Sequence, residues 1–404
     1  NGTRNVTYPD GTVAVMLSKP DPRPGIEMRA PFTGEFLITT PKGLVSTITK
    51  ERSLEFADGD ANNLFNITKI TDKVINNGNT YTTTYELDKV GKKVIVTDLT
   101  PLGRQKVSTL DWYGRIEKVS IDGLEPTVYS YDEKGRLIKI QKGEQSLGCI
   151  YDNMNRLISL TDAEGAEFRY TYNDADILKS ITMPGGQTYA FGNDYNGNVT
   201  GITIPGGEKH QLSYTAIDQP ESYTPPGNAP YQKSYDKDRA LTQMLLPDGR
   251  EVSFIYDSEG RIIGINCEGV TSVFAYTDST DRVTTISRNS GSPDGNGYFF
   301  GYDGALITQV IGGDSVATDS YSYRYNNDFS LAGFTLNDAS EVAFTYDDDG
   351  LLTRYGDFDI EHGGQFGAPS QISDGTMTTD YTYDAYGRMA SLKNSVGGKS
   401  VYSL

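Results

Sequence analysis

Chemistry-bearing side chains are scarce in these 404 residues: two histidines, two cysteines and one tryptophan. Histidine is the commonest general base, so an enzyme would have only His210 and His362 to draw on. Neither sits in a recognisable local frame with a serine or cysteine nucleophile. Two cysteines, Cys149 and Cys267, cannot make a disulfide framework. They read as small strand residues packed like apolar groups, with a single bridge as the alternative. No apolar run approaches ~18 residues, so no segment spans a membrane as a helix. Basic residues number 36 against 54 acidic ones, a net charge of −18. No tyrosine lies in a Lys/Arg-rich run, which excludes a nucleic-acid footprint. There is no signal peptide, and the ends at Asn1-Gly2-Thr3 and Tyr402-Ser403-Leu404 read as those of a piece of a longer chain.

Hydrophobic residues make up 36% of the chain, below the usual ~45–50%. Tyrosine and glycine, by contrast, are abundant at 28 and 44 residues. Disordered chains are poor in aromatics, and neither a glycine period nor a heptad appears. The composition is that of a β-rich, turn-rich protein with polar surfaces.

The chain is a repeat. Tyr131-Asp132-Glu133-Lys134-Gly135-Arg136-Leu137-Ile138 is a clear copy. Others begin at Tyr151-Asp152, Tyr256-Asp257 and Tyr383-Asp384, with weaker copies between them. From Tyr131 to Tyr346, through anchors including Tyr172, Tyr195 and Tyr214, the steps are 20, 21, 23, 19, 21, 21, 20, 26, 23 and 21 residues. The 37-residue step from Tyr346 to Tyr383 accommodates one degenerate unit across Tyr355–Ser370, and Trp112-Tyr113-Gly114-Arg115-Ile116 is an upstream copy without its Tyr-Asp.

Each unit reads as a β-hairpin. Alternating aromatic and β-branched residues, as in Phe254-Ile255-Tyr256, form the strand before the turn. The aspartate offers an acceptor to the turn N–H groups, and Gly135, Gly260 or Asn155 takes a positive φ. Pro-Gly and Pro-Asp-Gly turns, such as Leu246-Pro247-Asp248-Gly249, close the other end. About two dozen strands at ~4.8 Å spacing would make a continuous sheet roughly 115 Å across. Open twisted sheets rarely exceed ~10 strands without curling. With few aliphatics and no helix to cover a face, the expectation is an all-β sheet of hairpins curling into a spiral, hollow, barrel-like shell, either closed or an incomplete segment of one.

Repeated Tyr-x-Tyr-Asp-x-x-Gly-Arg-Leu units of about 20 residues resemble the YD-repeats of the rearrangement-hotspot (Rhs) family. That family includes bacterial polymorphic toxins, shell components of insecticidal toxin complexes, wall-associated proteins and the extracellular part of teneurins. The resemblance covers Leu102 to Ser403, so residues 1–100 read as a β-rich lead-in and 101–404 as the repeat array. It implies a hollow shell that encloses or displays a toxin or other polypeptide, secreted or at the cell surface. Its partners would be that polypeptide or adjoining parts of the same chain, with glycans or cell-surface proteins in a teneurin-like alternative. The toxin branch ends its shell in a self-cleaving segment. Asp21-Pro22-Arg23-Pro24-Gly25 lacks that setting, so self-cleavage is not carried over.

No catalytic, cofactor-binding or metal-ligating residue is assigned. His210 reads as a solvated strand end. Asp357, Asp359, Glu361 and His362 fall within six residues and could bind a metal, but without a second histidine they read as an acidic exposed loop. Asp347-Asp348-Asp349-Gly350 and Asp58-Gly59-Asp60 lack the ligand spacing of a calcium loop. Tyrosines at matching positions are expected to form cross-strand ladders, or alternatively to line a surface that stacks on sugars. Asn5-Val6-Thr7, Asn66-Ile67-Thr68 and Asn198-Val199-Thr200 are sequons. A non-enzymatic structural protein is the leading reading, an adhesion module the second, and a polysaccharide lyase centred on His362 the third.

Overall fold

The alternating pattern emerges as strand almost everywhere. The computed structural model describes residues 2–57, 63–277, 280–288, 297–313 and 317–403. It holds 36 strands in a single sheet, and wherever a register is described the paired strands run antiparallel. Among the described residues there is no α-helix, only single 3₁₀ turns at Glu27–Arg29, Leu64–Asn66 and Gln365–Gly367. None of these can cross a membrane. Among the described residues no ladder joins the first strand, Thr3–Thr7, to the last, Lys399–Ser403.

Two compact units divide the chain. One holds residues 1–129, 300–311 and 319–404; the other holds 130–299 and 312–318. In the first unit the early strands are long: Val45–Phe56 has 12 residues, and Ile67–Asn76 and Asn79–Asp88 have 10 each. Strands of the second unit have five to seven residues, as in Leu157–Thr161 and Glu251–Tyr256.

Because side chains alternate across a strand, register sorts each sheet face by chemistry. In the second unit Tyr170, Ile181 and Tyr189 stand opposite one another on three strands, followed by Phe191, Ile202 and His210, then Leu212, Tyr223 and Tyr231. The other face carries Thr171, Ser180 and Ala190, then Ser213, Ser222 and Gln232. Among the described residues only three hydrophobic side chains, Ala14, Ile67 and Ala332, are fully buried. The apolar face is half-covered by its own neighbours and does not pack into a filled core.

Candidate functional site

The feature that recurs is the turn that gives the repeat its sequence. Asp132 Oδ1 accepts from the N–H groups of Lys134 and Arg136, both at 2.9 Å. Gly135 N–H returns to the Asp132 carbonyl at 2.9 Å with Gly135 at φ 81°. A type I turn followed by a left-handed residue is a favoured hairpin connection. Asn155, at φ 69°, fills the glycine position of the next unit. Arg136 Nε then donates to Asp132 Oδ2 at 2.7 Å, and Asp152–Arg156 and Asp257–Arg261 repeat the arrangement. Each of the three carboxyls is held below the usual range, chiefly by the arginine backbone N–H, with desolvation opposing.

The tyrosine does something the cross-strand ladder did not anticipate. Its opposite residue is aliphatic: Tyr172 faces Leu178 and Tyr256 faces Ile262, each next to a β-bulge. Its hydroxyl donates to the first carbonyl of the previous unit's return strand. Seven tyrosines do this, from Tyr151 on Leu137 at 2.9 Å to Tyr346 on Leu331 at 2.8 Å. Tyr325 reaches Ile307, one residue into its strand, and Tyr383 reaches Pro369, two residues before Gln371–Ser373, both at 2.8 Å. Burial raises the hydroxyl pKa of Tyr172, Tyr346 and Tyr383 above the ordinary value. The guanidinium of the previous unit lies on the ring: Arg136 over Tyr151 at 4.7 Å, Arg156 over Tyr172 at 4.9 Å and Arg261 over Tyr276 at 4.8 Å. Tyrosine, aspartate and arginine thus form a chain of contacts from unit to unit, assembled from groups that are separate in sequence.

One anchor moves. Asn193, not Tyr195, stands opposite Val199 at the bulge, and Asp194 is the turn aspartate. Tyr195 projects fully into solvent from the turn tip. The uneven steps of 23 and 19 become 21 and 21.

Within the first unit a seam joins turns far apart in sequence. Asp303, 2% exposed, accepts from Thr40 Oγ1 and from the Lys42 N–H, both at 2.7 Å. Asp349 repeats this on Thr100 Oγ1 (2.7 Å) and the Leu102 N–H (2.9 Å), and also pairs with Arg104. Burial opposes its charge, but those donors prevail and keep its carboxyl below the usual range. Asn77 Nδ2 reaches Asp328 Oδ1 at 2.5 Å, and the Glu125 N–H reaches the Ala385 carbonyl at 2.7 Å. Thr40, Asn77, Thr100 and Glu125 therefore meet residues 303, 328, 349 and 385 in the same order. Thr40-Pro41-Lys42-Gly43 and Thr100-Pro101-Leu102-Gly103 are two copies of one receiving turn, a recurrence visible in the sequence but not read there as a binding element.

The acidic-loop reading of His362 is overturned. Asp357, Asp359 and Glu361 project from the exposed side of the strand Phe358–Glu361, and His362 alternates to the opposite side and is half-buried. Strand alternation thus separates the three carboxylates from the imidazole. His362 Nε2 lies 2.8 Å from the Leu352 carbonyl and Nδ1 lies 2.7 Å from that of Gly367. Leu352 opens the previous return strand, so the histidine takes the place that tyrosine fills elsewhere. Gly364 and Gly367 close this unit's turn as Asp347 and Gly350 close theirs. Gly367 is at φ 84°, where any L side chain is strained, and a Cβ there would meet Leu351 Cδ1 at 2.6 Å and Arg104 Nε at 2.9 Å, so a larger residue would have to displace both side chains.

His210 is not a solvated strand end. It lies within the strand Lys209–Tyr214 and stacks on Tyr223 at 5.9 Å, with Nδ1 2.8 Å from the Tyr223 hydroxyl. Tyr223 stacks in turn on Tyr231 at 6.0 Å. Asp347 serves its turn, accepting from Asp349 and Leu351. Asp58-Gly59-Asp60 lies outside the described residues. Cys149 and Cys267 are free thiols, and burial pushes the Cys149 thiol up. Asn5 is exposed and Asn66 half-buried, whereas the Asn198 amide donates to Asp194 and Asp218. Asp21, 2% exposed, is held by Arg23 and Arg52, and Arg52 also binds Asp72.

The Teneurin YD-shell family model matches residues 1–404. The chain belongs to that family. The match extends over residues 1–100 as well as 101–404. The fold is similar to those in solved structures of TcdB2-TccC3-Cdc42 (TM-score 0.57, 12% identity, 95% of this chain) and TcdB2-TccC3-TEV (TM-score 0.57, 13% identity, 97% of this chain). This YD-shell chain corresponds to 23% and 25% of those two chains. No curated protein matches it in sequence. The role of such a YD-shell chain is structural.

Proposed function

We propose that this chain is a wall segment of a secreted or cell-surface YD shell that encloses or displays a toxin or other polypeptide, with residues 1–100 as its lead-in, and that it catalyses nothing. The observation that carries this is the single-layer sheet with one apolar, aromatic face and one Ser/Thr-rich face, tied to itself by buried carboxylates in the seam. A face of half-covered Tyr, Phe and Ile suits contact with an unfolded guest, which exposes the same chemistry. Both histidines, the side chain most often used as a general base, are engaged in structural contacts.

The test is binding of a permanently unfolded, fluorescently labelled polypeptide, followed by limited proteolysis of the mixture. Enclosure or display predicts saturable binding and slower digestion of the guest, without turnover. Absence of binding removes the polypeptide-holding role. The stacked row of half-buried His210 with exposed Tyr223 and Tyr231 favours a second reading, glycan recognition by an adhesion module, because parallel rings can stack on sugar faces. Oligosaccharide binding abolished by Tyr223→Ala and Tyr231→Ala would promote that reading. Turnover abolished by His362→Ala with the fold intact would restore the enzyme.

A further inference from the structure

The turn Asp111–Arg115 departs from its relatives in a way the repeat does not require. At the two tip positions other copies carry polar pairs, as in Glu133-Lys134 or Ser258-Glu259, or a single aromatic, as in Tyr195-Asn196 or Ala385-Tyr386; here two aromatics stand together, Trp112 and Tyr113. They are 54% and 85% exposed, and Trp112 is the only tryptophan of the chain. Across a cleft of about 550 Å³ they face Phe65, 88% exposed, over a floor of Leu64, Ile67 and Leu87. Clustered exposed aromatics of this kind mark interaction sites, and tryptophan and tyrosine are the commonest binding hot spots.

The lip of the cleft carries the charge. Lys89 and Lys92 line it, and the Lys89 ammonium donates to the Phe65 carbonyl, which leaves two N–H donors. Among the described residues neither lysine has a carboxylate partner, whereas Lys69, Lys93 and Lys106 pair with Glu55, Glu117 and Asp98. Two lysines beside an apolar cleft offer it positive charge in a chain of net charge −18.

We propose that this cleft docks a short acidic segment of a partner polypeptide, whose leucine or phenylalanine side chains enter between Phe65 and Trp112 while its carboxylates face Lys89 and Lys92. The floor of Leu64, Ile67 and Leu87 is aliphatic, which favours apolar side chains as the occupant. Charge at the lip sets orientation and encounter rate, and the aromatics, which become buried on binding, supply the affinity.

Trp112, being the sole tryptophan, is its own reporter. The intact chain is titrated with a synthetic ten-residue peptide alternating glutamate with leucine and phenylalanine, and the tryptophan emission is followed. The expected result is a saturable blue shift that weakens with added salt. Lys89→Glu combined with Lys92→Glu should weaken binding about tenfold or more, as should Phe65→Ala, both with the melting temperature retained. No response at roughly millimolar peptide overturns the proposal. So does equal binding of a lysine-for-glutamate peptide, or retained affinity in the charge-reversed variant. A shift given instead by a uronic-acid oligosaccharide would assign the cleft to carbohydrate and overturn it as well.

Discussion

Asp348 and Asp349 are neighbours in one turn with opposite duties. Asp348 is exposed, whereas the Asp349 side chain is 4% exposed and satisfied by Thr100, Leu102 and Arg104. Removing one partner of a buried pair typically costs about 3–5 kcal/mol. Asp349→Ala should therefore fall in that range and raise amide exchange across Thr100–Arg104, and Asp348→Ala should change neither. Equal losses from the two would refute the seam. Asp21 gives a pH dependence. Its hydrogen bond to Arg23, against the cost of burial, brings its pKa from 3.8 to about 2. A carboxyl depressed by folding stabilises above its unfolded pKa and loses that contribution as pH falls through the folded value. Chemical denaturation from pH 6 to pH 2 should thus show a gap between the parent and Asp21→Asn that is full above about pH 4 and closes towards pH 2.

At the scale of the unit, the turn was legible in sequence because its determinants are local. A glycine needing positive φ and an aspartate capping the N–H groups two and four residues on both lie within five residues of each other. The tyrosine hydroxyl and the stacked arginine were not legible, because their partners belong to the adjoining hairpin and register decides which carbonyl is reached. Tyr195 misled for a related reason: a tyrosine at a turn tip and one at a strand end look alike until the bulge is placed. His362 was hidden because it performs the tyrosine's task with a different ring. Tyr346→Phe, which deletes only the hydroxyl on Leu331, should cost about 1 kcal/mol. His362→Ala removes contacts to two carbonyls and should cost about 1–3 kcal/mol, measured as a lower denaturant midpoint. An unchanged midpoint in His362→Ala would return that residue to the exposed loop.

For the molecule as a whole, hairpin periodicity sufficed to foresee an all-β sheet, and circular dichroism should show strand with almost no helix. The seam lay beyond sequence reasoning, since its contacts join residues 243–282 positions apart. That separation has a consequence of its own. Contacts between neighbouring hairpins are indifferent to how many hairpins there are, so a 21-residue duplication of residues 236–256 would satisfy every local rule. The seam is not indifferent: one added hairpin between Glu125 and Asp303 leaves Thr40 and Thr100 out of phase with their carboxylates. Such a duplication should keep the strand spectrum yet lose amide protection at Lys42 and Leu102, whereas a hairpin added beyond Arg388 should lose neither. Recombination that lengthens or shortens such an array in whole units would then be free everywhere except inside the interval the seam spans, where the tally of hairpins is inherited as a fixed number.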